Sequence, residues 1–256
     1  MNLRPFVAKT YENPSDYRPR TDAPALVNDS DSDAVRYNLF EGAAPAHTKN
    51  YMVGLDVLSW TTAAKVERSQ LIINQKAGAL IIPWEPADDG GIWIYLQETY
   101  RGPHTHDGKT VKEALDQENF DALGVWSLEA PAGGLEYADG VVSESPESAA
   151  VREAREETGL LIREDSLLDL MPGGLRIAGD ISTKRSYLFA ANIAEGSYDK
   201  STQAVEEDEA ISDLLAFRVR TRADLRKLAQ LTRIDAGTTS ALALVALQPA
   251  IGQYLG

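Results

Sequence analysis

Apolar and polar positions change rhythm several times along this chain, and each change marks an element. Val53, Leu55 and Val57 alternate with polar neighbours, so residues 51–68 predict one or two strands. Two β-rich runs follow, QLIINQKAGALIIPWE and IWIYLQETYRGP. The turn signal Asp88-Asp89-Gly90-Gly91 between them predicts a hairpin. Val125–Gly133 reads as a strand running into a turn, and Arg185–Ile193 and Leu214–Val219 as further strands, the first of them after a Pro172-Gly173-Gly174 break. Helical patterns cover Thr221–Leu231 and Asp235–Leu255. Residues 1–50 keep neither period for long. Their aromatics, Phe6, Tyr11, Tyr17, Tyr37 and Phe40, suit an arm packed on its own domain or on a second subunit as well as they suit a tail.

The most informative helix lies between Ser145 and Gly159. Ser145 suits the N-cap, Pro146 the first turn, and Gly159 the left-handed stop. Between them about thirteen residues span roughly 20 Å at ~1.5 Å each. Ala150, Val151 and Ala154 give a thin apolar face for close packing. Glu153, Glu156 and Glu157 stand at i, i+3 and i+4, within one arc of about 100°. Each like-charge pair there costs roughly a few tenths of a kcal/mol, so a cation must offset them. Arg152 pairing with Glu156 on a solvated face is one solution. A hard divalent ion held by carboxylates and by backbone carbonyls of the Pro131-Ala132-Gly133-Gly134 turn is the other.

Bulk properties narrow the possibilities. The chain has 256 residues, 43% of them hydrophobic, enough for one large domain or a domain with an appendage. With 25 basic and 39 acidic residues its net charge is −14, and no basic block stands out, which argues against a nucleic-acid surface. A phosphate-bearing substrate would be repelled unless cations bridge it to the protein. The absence of cysteine excludes disulfides and thiolate metal sites. Neither an apolar signal core nor a run of about eighteen apolar residues occurs, so a cytoplasmic protein with no membrane partner is expected. His104 and His106 could share one face of an extended segment, but with no third such ligand nearby an incidental exposed pair is the favoured reading.

The segment Arg152-Glu153-Ala154-Arg155-Glu156-Glu157-Thr158-Gly159-Leu160 resembles the second half of the Nudix box, G-x5-E-x7-R-E-U-x-E-E-x-G-U with U aliphatic. Seven residues separate Glu144 from Arg152, as the pattern requires. Nine residues rather than five separate Gly134 from Glu144, which reads as a four-residue insertion within Tyr137–Val142. Glu129-Ala130-Pro131-Ala132-Gly133 resembles the Glu-x-Pro-Ala-Gly entry of the ADP-ribose and nucleotide-sugar pyrophosphatase branch, Tyr100-Arg101 the end of its Gln-Tyr-Arg-Pro strand, and the last helix its terminal helix.

The resemblance implies an α/β fold, a Nudix-type α/β/α sandwich with a mixed β-sheet. Residues 1–68 would form an N-terminal arm or small β subdomain that could serve dimerisation, and residues 69–256 the hydrolase domain. It implies Mg²⁺, or Mn²⁺, held by Glu153, Glu156, Glu157 and the Ala132 carbonyl, with Glu144 and Arg152 orienting them. Glu207, or alternatively Glu206 or Glu209, would be the catalytic base in an acidic loop. Arg101 and Gly133 would meet the substrate, although Arg101 reads equally well as a solvated loop residue. The implied reaction is hydrolysis of the pyrophosphate bond of a nucleoside diphosphate derivative. ADP-ribose, giving AMP and ribose 5-phosphate, leads other nucleotide sugars and dinucleoside polyphosphates, and a homodimer is expected. A Nudix-fold sensor that binds nucleotide without turnover is the alternative.

Overall fold

The computed structural model describes residues 3, 7–18, 53–61, 67–101, 125–138, 141–176, 184–193, 197–203, 211–232 and 235–256. The strands are β1 (Lys9–Tyr11), β2 (Val53–Thr61), β3 (Glu67–Gln75), β4 (Gly78–Pro86), β5 (Ile92–Arg101), β6 (Val125–Glu129), β7 (Ala132–Gly134), β8 (Tyr137–Ala138), β9 (Val141–Val142), β10 (Leu160–Leu161), β11 (Leu167–Asp169), β12 (Leu175–Arg176), β13 (Arg185–Asn192), β14 (Ser197–Tyr198) and β15 (Ile211–Val219). The helices among the described residues are α1 (Pro146–Thr158), α2 (Arg222–Leu231), α3 (Ala236–Val245) and the short α4 (Pro249–Gly252).

A mixed sheet runs in the order β1-β15-β5-β4-β13-β11, with β6, β7 and β12 attached to β5, β4 and β13. The β1–β15 and β4–β13 pairs are parallel, and the other pairs of this sheet are antiparallel. Strand alternation sorts the side chains between two cores. Leu80, Ile82, Ile94, Leu96, Leu188 and Phe217 pack on one face with Leu225 and Leu228 of α2 and Leu242 and Val245 of α3. Ala79, Ile81, Trp93, Tyr95, Phe189 and Ala216 pack on the other face with Ala149, Ala150 and Ala154 of α1. The result is the expected α/β/α sandwich, with the sheet as its middle layer.

The hairpin between β4 and β5 turns through Gly90 and Gly91, both at positive φ. A Cβ on Gly91 would meet the Val219 carbonyl oxygen at 2.5 Å, so glycine is required by space as well as by conformation. Near this turn the two strands pair, Trp84 opposite Ile94. Farther on they part. β6 takes the free edge of β5, Gln97 opposite Glu129, and β7 takes that of β4, Leu80 opposite Ala132. Residues 129–134 therefore cross from one strand to the other and fill the fork in the sheet.

Part of the N-terminal arm belongs to this domain. β1 lies beside β15, and Tyr11 stacks on Phe217 at 4.9 Å between ring centroids. Tyr17 is buried and its hydroxyl donates to Glu98 Oε1 at 2.8 Å. β2 and β3 form a separate two-stranded ribbon, Val53 opposite Gln75 and Thr61 opposite Glu67. Phe6, Tyr37 and Phe40 lie outside the described residues.

The single helix expected over Asp235–Leu255 is corrected by the structure. α3 ends at Val245, and Pro249 starts a new turn. Proline disfavours helical geometry in the residue before it, and Gln248 is accordingly extended, at φ −77° and ψ 121°. The insertion within Tyr137–Val142 forms a small hairpin, β8 with β9, which lengthens the loop before α1 and leaves Val141 and Val142 exposed.

Candidate active site

Helix α1 forms as its end signals predict. The Ser145 hydroxyl oxygen accepts from the Ser148 N–H at 3.0 Å, Pro146 opens the helix, and Gly159 closes it at φ 75°. Ala149, Ala150 and Ala154 are fully buried against the sheet. Such small side chains let the backbone of α1 approach closely, which brings its glutamates onto the fork.

The fork offers them a backbone edge. Ile81 N–H donates to Pro131 O at 3.1 Å and Leu135 N–H to Ala77 O at 2.9 Å, so alternate residues of this stretch bond to β4. In an antiparallel pair the intervening residues, Ala132 and Gly134, turn their N–H and C=O to the other side. There the Ala132 N–H donates to Glu157 Oε2 at 2.9 Å, and Gly134 O accepts from Arg152 Nη2 at 2.8 Å. The Ala132 carbonyl belongs to the same edge. Ala130 N–H is held from the opposite layer by Thr238 Oγ1 of α3, at 2.9 Å. The crossing segment is thus fixed by helices on both faces of the sheet.

Four of the five charged box residues share one network. Arg152 grips Glu144 with two bonds, Nε to Oε1 at 2.9 Å and Nη2 to Oε2 at 3.0 Å. Its Nη1 donates to Glu153 Oε1 at 2.6 Å and to Glu156 Oε2 at 3.1 Å. The guanidinium holds the Glu144 carboxyl below the usual range, and those carboxylates in turn raise the Arg152 pKa. Glu144 also accepts from the Glu136 N–H at 3.1 Å, which ties the lengthened loop to the helix. One guanidinium thus joins Glu144 of the loop to Glu153 and Glu156 of the helix. Glu157, the fifth residue, is buried and faces the sheet, where Oε2 also accepts from Gln97 Nε2 at 2.9 Å.

Gly133 meets Glu153 directly. A Cβ there would lie 1.9 Å from Glu153 Oε1, so only glycine leaves the carboxylate its place. Glu153, Glu156, Glu157 and the Ala132 carbonyl are all hard oxygen donors, which in chemistry fit Mg²⁺ or Mn²⁺ and no softer ion. Among the described residues no three acidic or histidine side chains converge into a closed cage, so the fit lies in the donor set and in the Gly133 cradle.

Other expected residues are placed less fully. Arg101 closes β5 opposite Val125. Glu206, Glu207, Glu209, His104 and His106 lie outside the described residues. The role of Gln97 is absent from the sequence reading. Its only signal is a polar stretch, Gln97-Glu98-Thr99, in a strand that begins Ile92-Trp93-Ile94-Tyr95-Leu96.

The NUDIX domain model matches residues 109–237, a span that contains α1 and the fork. The chain belongs to the Nudix family of pyrophosphohydrolases. Its fold is similar to that of a solved structure described as an ADP compounds hydrolase, with a TM-score of 0.52 and 18% sequence identity over 78% of this chain and 87% of that one. No curated protein matches the chain.

Proposed function

We propose that this protein hydrolyses the pyrophosphate bond of a nucleoside diphosphate derivative in a metal-dependent reaction, with ADP-ribose, cleaved to AMP and ribose 5-phosphate, as the leading substrate. The observation that carries this reading is the placement of Glu153 and Glu157 of α1 against the Ala132-Gly133 backbone. The ADP-ribose preference draws on Tyr100-Arg101, on the Glu129–Gly133 entry and on the similarity of fold to an ADP compounds hydrolase.

In this reaction water attacks one phosphorus, the bridging P–O bond breaks, and the water loses a proton. Divalent cations supply a lowered water pKa and neutralise phosphate oxygens when bound. Glu153, Glu156 and Glu157, with the Ala132 carbonyl, would hold them. Arg152 keeps Glu153 and Glu156 together on one side of the helix, and its grip on Glu144 and Gly134 O fixes its own position. Gly133 keeps the floor of the site open. Glu207, with Glu206 and Glu209 as alternatives, is assigned the proton, and Arg101 a substrate phosphate. The enzyme is proposed to act as a cytoplasmic homodimer. No helix among the described residues is long and apolar enough to cross a membrane.

A hydrolysis screen over ADP-ribose, other ADP- and UDP-sugars, GDP-mannose, NADH and diadenosine polyphosphates tests the reading, with products resolved by ³¹P NMR in Mg²⁺ and in EDTA. The expected result is Mg²⁺-dependent release of AMP from ADP-ribose. Nucleotide binding with no turnover of any compound would replace the hydrolase by a sensor.

A further inference from the structure

Beyond the box, one side chain of the sheet reaches its most deeply buried glutamate. On β5, Trp93 and Tyr95 face α1, and by alternation so do Gln97 and Thr99. Opposite them on β6 stand Glu129 and Ser127. All four of these polar residues are buried, Gln97 at 2% exposure and Ser127 at 1%.

Burial of Gln97 is costly. Its Oε1 has no hydrogen-bond partner, and an unsatisfied buried acceptor costs about 1–3 kcal/mol. Leucine or methionine would fill the same space without that cost. Gln97 makes one bond that neither could replace, from Nε2 to Glu157 Oε2 at 2.9 Å. Its amide cannot be reversed, since Oε1 would then face a carboxylate oxygen and both would be acceptors.

The Gln97 and Ala132 donors converge on the same oxygen, Glu157 Oε2. Two donors from different strands fix both the position of that oxygen and the rotation of the carboxylate plane. The direction of Oε1 is then set relative to Glu153 one helical turn earlier.

We infer that Gln97 is a positioning residue, which holds the Glu157 carboxylate in the orientation that meets a divalent cation. This rests on the metal-dependent reading above. It assigns to Gln97 a role outside the Nudix box.

Binding of Mn²⁺ to the full chain without substrate, followed by electron paramagnetic resonance, separates this role from a merely stabilising one. Gln97→Met keeps the volume and removes the donor. It is expected to weaken Mn²⁺ binding about 10–100-fold, the range seen when a ligand loses its hydrogen-bonded support. The Mg²⁺ concentration for half-maximal hydrolysis should rise in parallel, while KM at saturating Mg²⁺ stays within about twofold. Gln97→Asn, one methylene short of Glu157, should weaken Mn²⁺ in the same direction, and it carries the comparison if Gln97→Met does not fold. Folded variants that bind Mn²⁺ as tightly as wild type overturn the positioning role alone. A wild-type protein that binds no Mn²⁺ overturns the metal-dependent reading, and the role of Gln97 with it.

Discussion

The carboxylate of Glu153 occupies the space in which a side chain on Gly133 would stand, with 1.9 Å between Oε1 and the place of a Cβ. The three atoms nearest that place all belong to the Glu153 carboxylate. Gly133→Ala must therefore displace the Glu153 carboxylate. Misplacement by about 1 Å at a reacting centre costs about 100-fold in rate. The expected outcome is a fall of that order in kcat with the fold retained by circular dichroism. Unchanged kcat would mean that Glu153 works from another position.

Arg152 serves Glu144, Glu153, Glu156 and the Gly134 carbonyl at once. Lysine keeps the charge but has no planar fork to share among four acceptors. Arg152→Lys should lower kcat by about 10-fold or more and leave KM nearly unchanged. A rise in KM alone would assign the guanidinium to substrate instead.

The same pair gives a pH dependence of stability. Arg152 lowers the Glu144 pKa in the folded state, so the unfolded chain binds that proton more readily. The stabilisation is present above the unfolded-state pKa of about 4.3 and is lost as pH falls through the lower folded value. Melting temperatures measured between pH 3 and pH 7 should fall less steeply on the acid side for Glu144→Gln than for wild type. Parallel curves would contradict the coupling.

Thr238 lies in the opposite helical layer, yet its hydroxyl holds the Ala130 N–H, two residues before Ala132. Thr238→Val keeps the shape, leaves that buried donor unpaired and removes the hydroxyl's own bond to Asp235. Urea unfolding should show a loss of about 1–3 kcal/mol, with Thr238→Ser close to wild type. Equal stability of the valine variant would show that Ala130 has another partner.

What could be read from sequence was local. Ser145, Pro146 and Gly159 specify α1 because caps act within a turn of their own backbone, and the spacing from Glu144 to Glu157 puts the five charged box residues on one helix and its entry. The hairpin at Gly90-Gly91 was legible for the same reason. Contacts that depend on the fork were not. Gln97 and Glu157 are 60 residues apart, and they meet only because β4 and β5 separate and α1 lies across the gap. Thr238 and Ala130 are separated by 108 residues and by the thickness of the sheet. Three-residue β1 carries too little periodicity to announce a parallel pairing with β15, although Tyr11 and Tyr17 hinted at burial. The break before Pro249 was present in the sequence, and the apolar run on either side of it masked the stop.

If the glutamates of α1 hold the cations of a pyrophosphohydrolase, Glu157→Gln should abolish the reaction. The amide oxygen of glutamine can still accept from Gln97 and from the Ala132 N–H, so the fold keeps both bonds while the site loses one charge. ADP-ribose hydrolysis would be followed across a Mg²⁺ titration for both proteins. The expected result is Mg²⁺-dependent turnover by wild type and a loss of at least about 100-fold in the variant that added Mg²⁺ does not restore. Equal rates, or wild-type turnover that persists in EDTA, would contradict it.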